Sequence, residues 1–442
     1  MNGDRRDAAR WPWLSGGSFA RNASWNVLGN LSGKLLGPAF HVLIARLIVP
    51  EDFGVFAIAM AWLAAFEIGK DWGLTQAILV SRGGASVLRL QFTVQLATAL
   101  VFCAATVAAA PIVAGLFGLP SLGVVLPLIS VAALLDAVAD TAVTDCLMTQ
   151  RYRRLAVRQM LASLVSGALG LLLAHQGYGV YSLVTGYLVG HAAGTLSLAA
   201  GARAYLEPAR DWTEMRNLMM VGRHIVLQRL FGFLVSQADS FIVGNALGIR
   251  ALGLYRMGNL LAFLLPAATV PQLQQVTFTE LLGRRDVENI RSRYNQFATL
   301  AGVSLLLYSV AVYLTAPAVI PLLLGEQWRE AVPLMQVFAA VVITGFVTPM
   351  NMDLAKILGF FGSYTYFAVV RCVATVIAVA WASQYSTMHV VITWVIAGFV
   401  SNLANDVIFY TKQDVVKVTR DKLALTCASW LWAGFVIMGS FR

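Results

Sequence analysis

The chain has 442 residues, of which 58% are hydrophobic and only 12% charged, whereas an average soluble protein is about 45 to 50% apolar and about 25% charged. This composition excludes a soluble globule and indicates that a membrane is the solvent of most of the chain. The formal charge is +10, but the basic residues occupy short gaps between apolar runs, so a continuous basic face for nucleic acid is not expected.

Apolar stretches of roughly 20 residues, enough to cross about 30 Å of hydrocarbon, predict an all-α polytopic membrane protein. The first half has six such stretches, at about 25–47, 54–80, 92–116, 122–147, 156–175 and 178–202. The second half has six more, at about 224–247, 252–281, 296–320, 332–356, 361–382 and 388–410. A last apolar stretch at 423–441 predicts an extra, thirteenth helix.

The polar stretch 203–223 divides these spans into two predicted lobes. Residues 1–202 form the N-lobe with helices 1–6, residues 224–410 form the C-lobe with helices 7–12, and 411–442 form a C-terminal segment. Aligned without a gap, IARLIVPEDFGVF of the first half falls on VGNALGIRALGLY of the second, with Gly54 on Gly253. This predicts a parallel repeat with a substrate path between its halves.

The distribution of Lys and Arg predicts the orientation. With a cytoplasmic N-terminus, the linker 203–223 is cytoplasmic, and almost all of the 32 basic residues lie on that side or within spans. The opposite side receives only Arg46, Arg250, Arg329 and Arg442. This bias follows the positive-inside rule.

Four segments carry a family resemblance. They are Ala45 to Ile78, with the run ARLIVPEDFGVF and the later DWGL; Thr149 to Val184, with TQRYRRLAVRQ and GYGVYSLV; Ser236 to Leu260; and Leu323 to Phe338. In these segments the chain resembles the Wzx-like polysaccharide transporters of the MOP flippase superfamily, which also contains the MATE transporters. The resemblance implies two six-helix lobes around a central cavity.

The resemblance also implies a function. The expected protein is a multi-pass flippase of the bacterial inner membrane, which carries an undecaprenyl-pyrophosphate-linked oligosaccharide from the cytoplasmic to the periplasmic face by alternating access. Its cargo would serve exopolysaccharide or O-antigen (lipopolysaccharide) synthesis. The expected partners are membrane lipids and the polysaccharide polymerase and chain-length machinery. No cofactor or catalytic residue is expected, and the chain has no P-loop motif.

Basic residues within predicted spans are the candidates for binding the cargo, because a charge in hydrocarbon is costly unless it faces a cavity or a partner. Pyrophosphate suits Arg and Lys donors. The candidates near mid-span are Lys34, Lys70 and Arg371. Two further candidates, Arg229 and Arg256, lie nearer to span ends, where snorkelling is the alternative explanation.

Acidic residues within spans are the candidates for ion coupling or gating. Glu67 and Asp71 would share a helix face with Lys70, so mutual neutralisation is the alternative to proton exchange. Asp71 falls in the family-like D-x-G-L pattern, and Asp239 falls in a similar pattern of the second half. Helix-to-helix hydrogen bonding is the alternative for both.

Other polar and small residues give weaker signals. Asp136 and Asp140 lie four apart and could share a proton, and His41 would lie on nearly the same face as Lys34. Gly29, Gly33 and Gly37 form a small-residue stripe that permits close helix packing. The four cysteines and five histidines lack metal-ligand spacing, so no metal is expected.

Two other functions fit parts of this pattern. A MATE-like drug or metabolite antiporter would share the architecture, but its cavity should be acidic rather than basic. A membrane polymerase or ligase of the same pathway would need a long periplasmic loop for catalytic residues, and the predicted periplasmic gaps are short.

Overall fold

The computed structural model describes residues 16–440, apart from 71, 82–83, 203–204, 208, 210–225, 227–228, 231, 235, 283–286, 343–360 and 414–419. In this part of the chain every regular element is a helix. The predicted linker 203–223 and the end of the predicted span 332–356 fall largely outside the described residues.

Seven helices precede the linker region: α1 Gly16–Ala45, α2 Pro50–Gly69, α3 Leu74–Ser81, α4 Ala85–Phe117, α5 Leu122–Met148, α6 Tyr152–His175 and α7 Val180–Ala202. After it, residues 236–246 are helical, and six helices follow. They are α8 Ile249–Leu282, α9 Val287–Leu324, α10 Ala331–Val341, α11 Phe361–Ala382, α12 Thr387–Gln413 and α13 Arg420–Gly439.

Several of these helices meet the physical requirements for crossing a bilayer. Six segments are both long and apolar enough: Pro50–Gly69, Ala85–Phe117, Leu122–Met148, Tyr152–His175, Ile249–Gln275 and Ser292–Leu324. Five further apolar helices of 10–17 described residues accompany them. The chain is therefore an all-α, multi-pass membrane protein, as the sequence predicts.

The last helix, α13, is part of the packed bundle. The indole Nε1 of Trp432 donates a hydrogen bond of 2.8 Å to the hydroxyl of Ser309 on α9. The side chain of Leu425 lies where a Cβ on Gly302 of α9 would be. These contacts hold α13 against α9, in the region where the sequence predicts a thirteenth helix.

Small residues hold α1, α6 and α7 close together. On α7, Gly190 lies so near α6 that a Cβ would come within 2.5 Å of the Ala162 carbonyl oxygen. On α1, a Cβ at Gly29 would lie 2.8 Å from Cα of Ala156, and one at Gly33 would meet Gln159. Such approach lets dispersion forces act between helices where lipid removes the hydrophobic driving force.

The predicted uninterrupted span 54–80 is wrong. Helix α2 ends at Gly69, and α3 begins at Leu74. Between them Trp72 and Gly73 have φ of 49° and 76°, which is left-handed backbone that cannot continue a right-handed helix. Lys70 is therefore at the C-terminus of a helix and not in the middle of one.

The two halves of the chain meet through equivalent positions of the repeat. A Cβ on Gly54 of α2 would collide with the carbonyl oxygen of Ile249, and one on Gly253 of α8 would collide with that of Pro50. Pro50 and Ile249 are separated by the same 199 positions as Glu51 and Arg250, which form an ion pair of 3.1 Å. The contact is thus approximately two-fold symmetric.

A second set of contacts closes the same end of the molecule. Trp328, fully buried, donates its indole N–H to the Ala45 carbonyl at 2.8 Å. Gln327 donates to the carbonyls of Ala45 and Ile48, and Arg46 donates to the carbonyl of Leu322. Together with Gly54 and Gly253, these residues join the halves next to the α1–α2 loop.

We expect Gly253→Ala to lower the free energy of unfolding by roughly 1 to 3 kcal/mol, because the added methyl group overpacks a backbone-to-backbone contact. Thermal unfolding of the purified protein measures the change. The control is Gly434→Ala on α13, where a Cβ meets no atom within 4 Å; helix propensity should make that variant neutral or slightly more stable. Equal effects of the two changes would contradict the close contact.

Candidate functional site

A cluster of charged side chains lies inside the first half, where α2 ends. Lys70 caps the C-terminus of α2, and its ammonium group lies 2.8 Å from Glu67 and 2.9 Å from Asp140 of α5. A cation at a helix C-terminus also interacts favourably with the helix dipole. The side chain of Lys70 is only 14% exposed, so two carboxylates and a helix end compensate its burial.

The cluster continues from α5 to α7. Asp136 lies 2.9 Å from Nε2 of His191, and the imidazole ring of His191 stacks on Tyr187 with a 9° angle between the ring planes. Asp136 and Asp140 therefore have separate partners, His191 and Lys70. The predicted sharing of a proton between these two carboxyls is not the arrangement in this structure.

Amide and hydroxyl groups of α4 extend the same network. Gln95 donates to Asp140 at 3.4 Å, and Gln91 donates to the hydroxyls of Thr75 and Thr144 at 3.0 Å. The Oε1 atoms of both glutamines are buried without a hydrogen-bond partner. Buried polar atoms are normally satisfied by protein or ordered water, so these two amide oxygens are exceptions in this conformation.

A cavity of about 330 Å³ adjoins the charged cluster between α1, α6 and α7. His191 and Tyr187 form part of its wall, together with His41 of α1 and Arg158 of α6. Lys34 does not line this cavity, although Gly33 and Gly37 do. The predicted common face of His41 and Lys34 therefore does not extend to this space.

A second charged cluster lies in the other half, between residues 237–240 and the start of α8. Arg256 lies 3.5 Å from Asp239 and donates hydrogen bonds to Gln237 and Ser240. The fully buried Tyr255 donates its hydroxyl proton to Asp239 at 2.7 Å. Arg256 and Asp239 thus neutralise each other, and snorkelling is not needed to explain the arginine.

The remaining predicted site residues lie apart from these clusters. Lys34 and Arg371 are half-buried, and neither forms an ion pair with a residue that the structure describes. Arg229 donates to the backbone carbonyl of Glu67 at 3.3 Å, which joins the second half to the end of α2. Asp71 lies outside the described residues. The predicted site residues therefore occupy several places rather than one.

Some residues of the site were not predicted as a group. Asp140, the second partner of Lys70, and His191, the partner of Asp136, lie on other helices, so spacing along one helix does not reveal them. Tyr255 lies in the repeat segment VGNALGIRALGLY and Arg158 in the run TQRYRRLAVRQ, but neither was predicted as a site residue. Within the described residues, no group of three or more His, Cys, Asp or Glu side chains could hold a metal ion.

We expect Lys70→Met to lower the free energy of unfolding by roughly 3 kcal/mol, because it leaves the largely buried Asp140 without its countercharge. Adding Asp140→Asn should restore part of the loss, since it removes the stranded charge. Denaturation of the purified protein measures both. Lys34→Met is the matched control; a loss as large as that of Lys70→Met would show that the ion pairs are not the cause.

Comparison with known proteins identifies relatives over most of the chain. A family model described as "Polysaccharide biosynthesis protein" matches residues 43–333. The succinoglycan biosynthesis transport protein ExoT of Rhizobium meliloti is 22% identical over 389 residues, which cover 87% of this chain and 78% of ExoT. The lipopolysaccharide biosynthesis protein WzxC of Escherichia coli is 20% identical, with 72% of this chain and 66% of WzxC covered.

Solved structures share the fold. The lipid II flippase MurJ, in an inward closed conformation, superposes with a TM-score of 0.66 at 11% identity over 96% of this chain and 93% of its own. An inward-facing multidrug MATE transporter of the MOP superfamily superposes with a TM-score of 0.58 at 16% identity over 93% and 96%. Together with the family model, which covers more than half of the chain, these findings show that the chain belongs to the polysaccharide biosynthesis protein family and is a Wzx-like, multi-pass membrane transporter.

Proposed function

We propose that this protein carries an undecaprenyl-pyrophosphate-linked oligosaccharide from the cytoplasmic to the periplasmic face of the bacterial inner membrane, for exopolysaccharide or O-antigen synthesis. The names of ExoT and WzxC, which refer to succinoglycan transport and lipopolysaccharide biosynthesis, support this class of cargo. The observation that carries the mechanism is the contact of two repeat-related helices, α2 and α8, at one end of the molecule.

Alternating access follows from this contact if the predicted lobes, 1–202 and 224–410, move as units. By the positive-inside rule, the α1–α2 loop with Arg46 and the first turn of α8 with Arg250 would lie on the periplasmic side, with the N-terminus in the cytoplasm. In this orientation the contact closes the periplasmic end. Its ion pairs, from Arg250 to Glu51 and Glu330, are 41 to 66% exposed at their side chains, and exposed pairs contribute only about 0 to 1 kcal/mol. Such a closure can open.

The first candidates for binding the pyrophosphate are the basic residues that have no carboxylate partner among the described residues, because their charge is not already compensated. Lys34 and Arg371 meet this condition, and Arg229 adds a guanidinium group beside the end of α2. Lys70 and Arg256 hold Asp140 and Asp239 in this state. These two residues would bind the cargo only if its pyrophosphate replaced those carboxylates as their partner.

The candidates for coupling to an ion gradient are the acidic partners of Lys70 and Arg256. Glu67 is 51% exposed and has Lys70 as its ion-pair partner, so it is the carboxylate most accessible to protons. Asp239 occupies the corresponding role in the second half, where it accepts from Tyr255 and faces Arg256. Asp71 remains a candidate from the sequence alone.

We expect a strain that lacks the protein to accumulate lipid-linked oligosaccharide in the cytoplasmic leaflet and to lose its surface polysaccharide. Lys34→Ala and Arg371→Ala should each lower export about tenfold at normal protein level, which corresponds to 1.4 kcal/mol of binding free energy. Arg329→Ala, 75% exposed beside Glu326, is the control for lost charge. Normal polysaccharide with raised drug sensitivity in the deletion strain would instead support a MATE-like antiporter.

We expect a covalent link between α2 and α8 to stop export, because the periplasmic end could no longer open. Glu51→Cys with Arg250→Cys, in a protein whose four cysteines are replaced, provides the link through a short, membrane-impermeant bis-thiol reagent. The matched control is Glu326→Cys with Arg329→Cys, an ion pair three residues apart within one half. Full export by the linked protein would contradict alternating access at this contact.

A further inference from the structure

None of the described residues proposed above for pyrophosphate binding or ion coupling lines the cavity between α1, α6 and α7. It lies within the first half, and its volume of about 330 Å³ is at the lower end of the range for small-molecule sites, about 300 to 1,000 Å³. Its walls combine glycines with polar and aromatic side chains. The aromatic members used below are Phe40, His41, Tyr187 and His191, and the other polar members are Arg158, Gln159, Ser163 and Ser166.

The lining offers hydrogen-bond donors without a carboxylate. Arg158 contributes its guanidinium group, and its Nε atom is buried without a hydrogen-bond partner. Gln159, Ser163 and Ser166 add an amide and two hydroxyls from the same helix. Empty cavities in proteins are apolar, whereas polar ones are filled by water or a ligand. A cavity lined by an arginine, an amide and two hydroxyls therefore calls for an occupant with oxygen acceptors.

The rings of the lining give the occupant a second requirement. Tyr187 and His191, which both line the cavity, stack with their centroids 5.8 Å apart. The ring of Phe40 packs directly against Gly167 on α6, and His41 lies 5.9 Å from Phe56, centroid to centroid. Aromatic rings favour a flat, weakly polar face of a ligand. An acyl chain would satisfy the rings but would leave the guanidinium, amide and hydroxyl groups of the lining without hydrogen-bond partners from the occupant.

We propose that this cavity binds a single sugar ring of the lipid-linked cargo. A pyranose ring has one face of C–H groups, which would pack against the aromatic side chains of the lining, and hydroxyls at its edge, which would accept from the Arg158 guanidinium and exchange hydrogen bonds with Gln159 and the two serines. The inference rests on the proposed function, because the cargo supplies the sugar. It adds a subsite in the first half, separate from the cations proposed for pyrophosphate.

This subsite is also connected to the charged cluster. His191 touches the cavity on one side and binds Asp136 on the other, and Asp136 lies one helical turn from Asp140, the partner of Lys70. An occupant that hydrogen-bonds to His191 would therefore act on the residues at the end of α2. This connection gives the bound sugar a physical route to the groups proposed for ion coupling.

Filling the cavity tests the proposal. Gly37 lines it, and a Cβ at this position would meet no atom within 4 Å, so Gly37→Leu places a side chain in the space without displacing its walls. The matched control is Gly115→Leu on α4, where a Cβ is equally free, on an exposed part of the helix outside the cavity. Both proteins are purified in a detergent without a sugar head group.

The probes are the methyl glycosides of glucose, galactose, mannose, N-acetylglucosamine and glucuronic acid at millimolar concentration, followed by saturation-transfer NMR. At least one should bind the unaltered protein and Gly115→Leu equally, and bind Gly37→Leu at least tenfold more weakly. Arg158→Lys keeps the charge but removes the planar set of guanidinium donors, and should weaken binding at least threefold at unchanged thermal stability. This second variant keeps the test valid if Gly37→Leu does not fold.

Three outcomes would overturn the sugar subsite: no probe binds the unaltered protein, Gly37→Leu binds as well as the control, or Arg158→Lys binds as well as the unaltered protein. Binding is measured on purified protein and is independent of export. A deletion strain with normal polysaccharide would therefore defeat the proposed function while the binding result still stood. If Gly37→Leu lost sugar binding but exported polysaccharide normally, the cavity would not be a subsite for the cargo.

Discussion

The close approach of α2 and α8 at Gly54 and Gly253 determines how the halves of this transporter can be joined. In a bilayer, lipid tails are as apolar as leucine side chains, so burying hydrophobic surface between helices gains little. Two helices must instead come near enough for backbone atoms to touch, and only glycine leaves that space. Because the same glycine occurs at equivalent positions of both halves, each helix receives the other's carbonyl oxygen. The exposed Glu51–Arg250 pair and the buried Trp328 then fix the register of this contact.

The same requirement for close contact shapes the interior of the first half. Glycines of α1 and α7 bring both helices against α6, but the contact is not continuous. Around Gly37 the helices separate and leave the polar cavity, and the break between α2 and α3 brings Lys70 to the end of a helix, within reach of α5. The helices thus pack closely at some positions along their length and leave space lined by polar groups at others. In a transporter, such places are where a polar cargo can be held.

Charges within the membrane are compensated in two separate clusters, one in each half. Lys70 and His191 face the carboxylates of α5 in the first, and Arg256 faces Asp239 in the second. An ion pair stabilises both charges in a low dielectric. A charged ligand could take the place of one partner in such a pair. Lys34 and Arg371, by contrast, have no ion-pair partner among the described residues, and this difference separates the proposed cargo-binding cations from the pairs that stabilise each half.

The sequence alone determined that the protein lies in a membrane and is helical, because a bilayer requires long apolar helices. It also determined the repeat, because two related segments align with Gly54 on Gly253. It also predicted which ionisable residues lie among the spans, and the family motifs predicted a transporter. It could not predict the break after Gly69, since the left-handed backbone at Trp72, a residue with a large side chain, has no local signal. Nor could it pair Lys70 with Asp140, Asp136 with His191 or Tyr255 with Asp239. Those partners lie on different helices, and periodicity describes only the faces of a single helix. Which faces meet is decided by where glycines allow helices to approach, and only the tertiary structure specifies that.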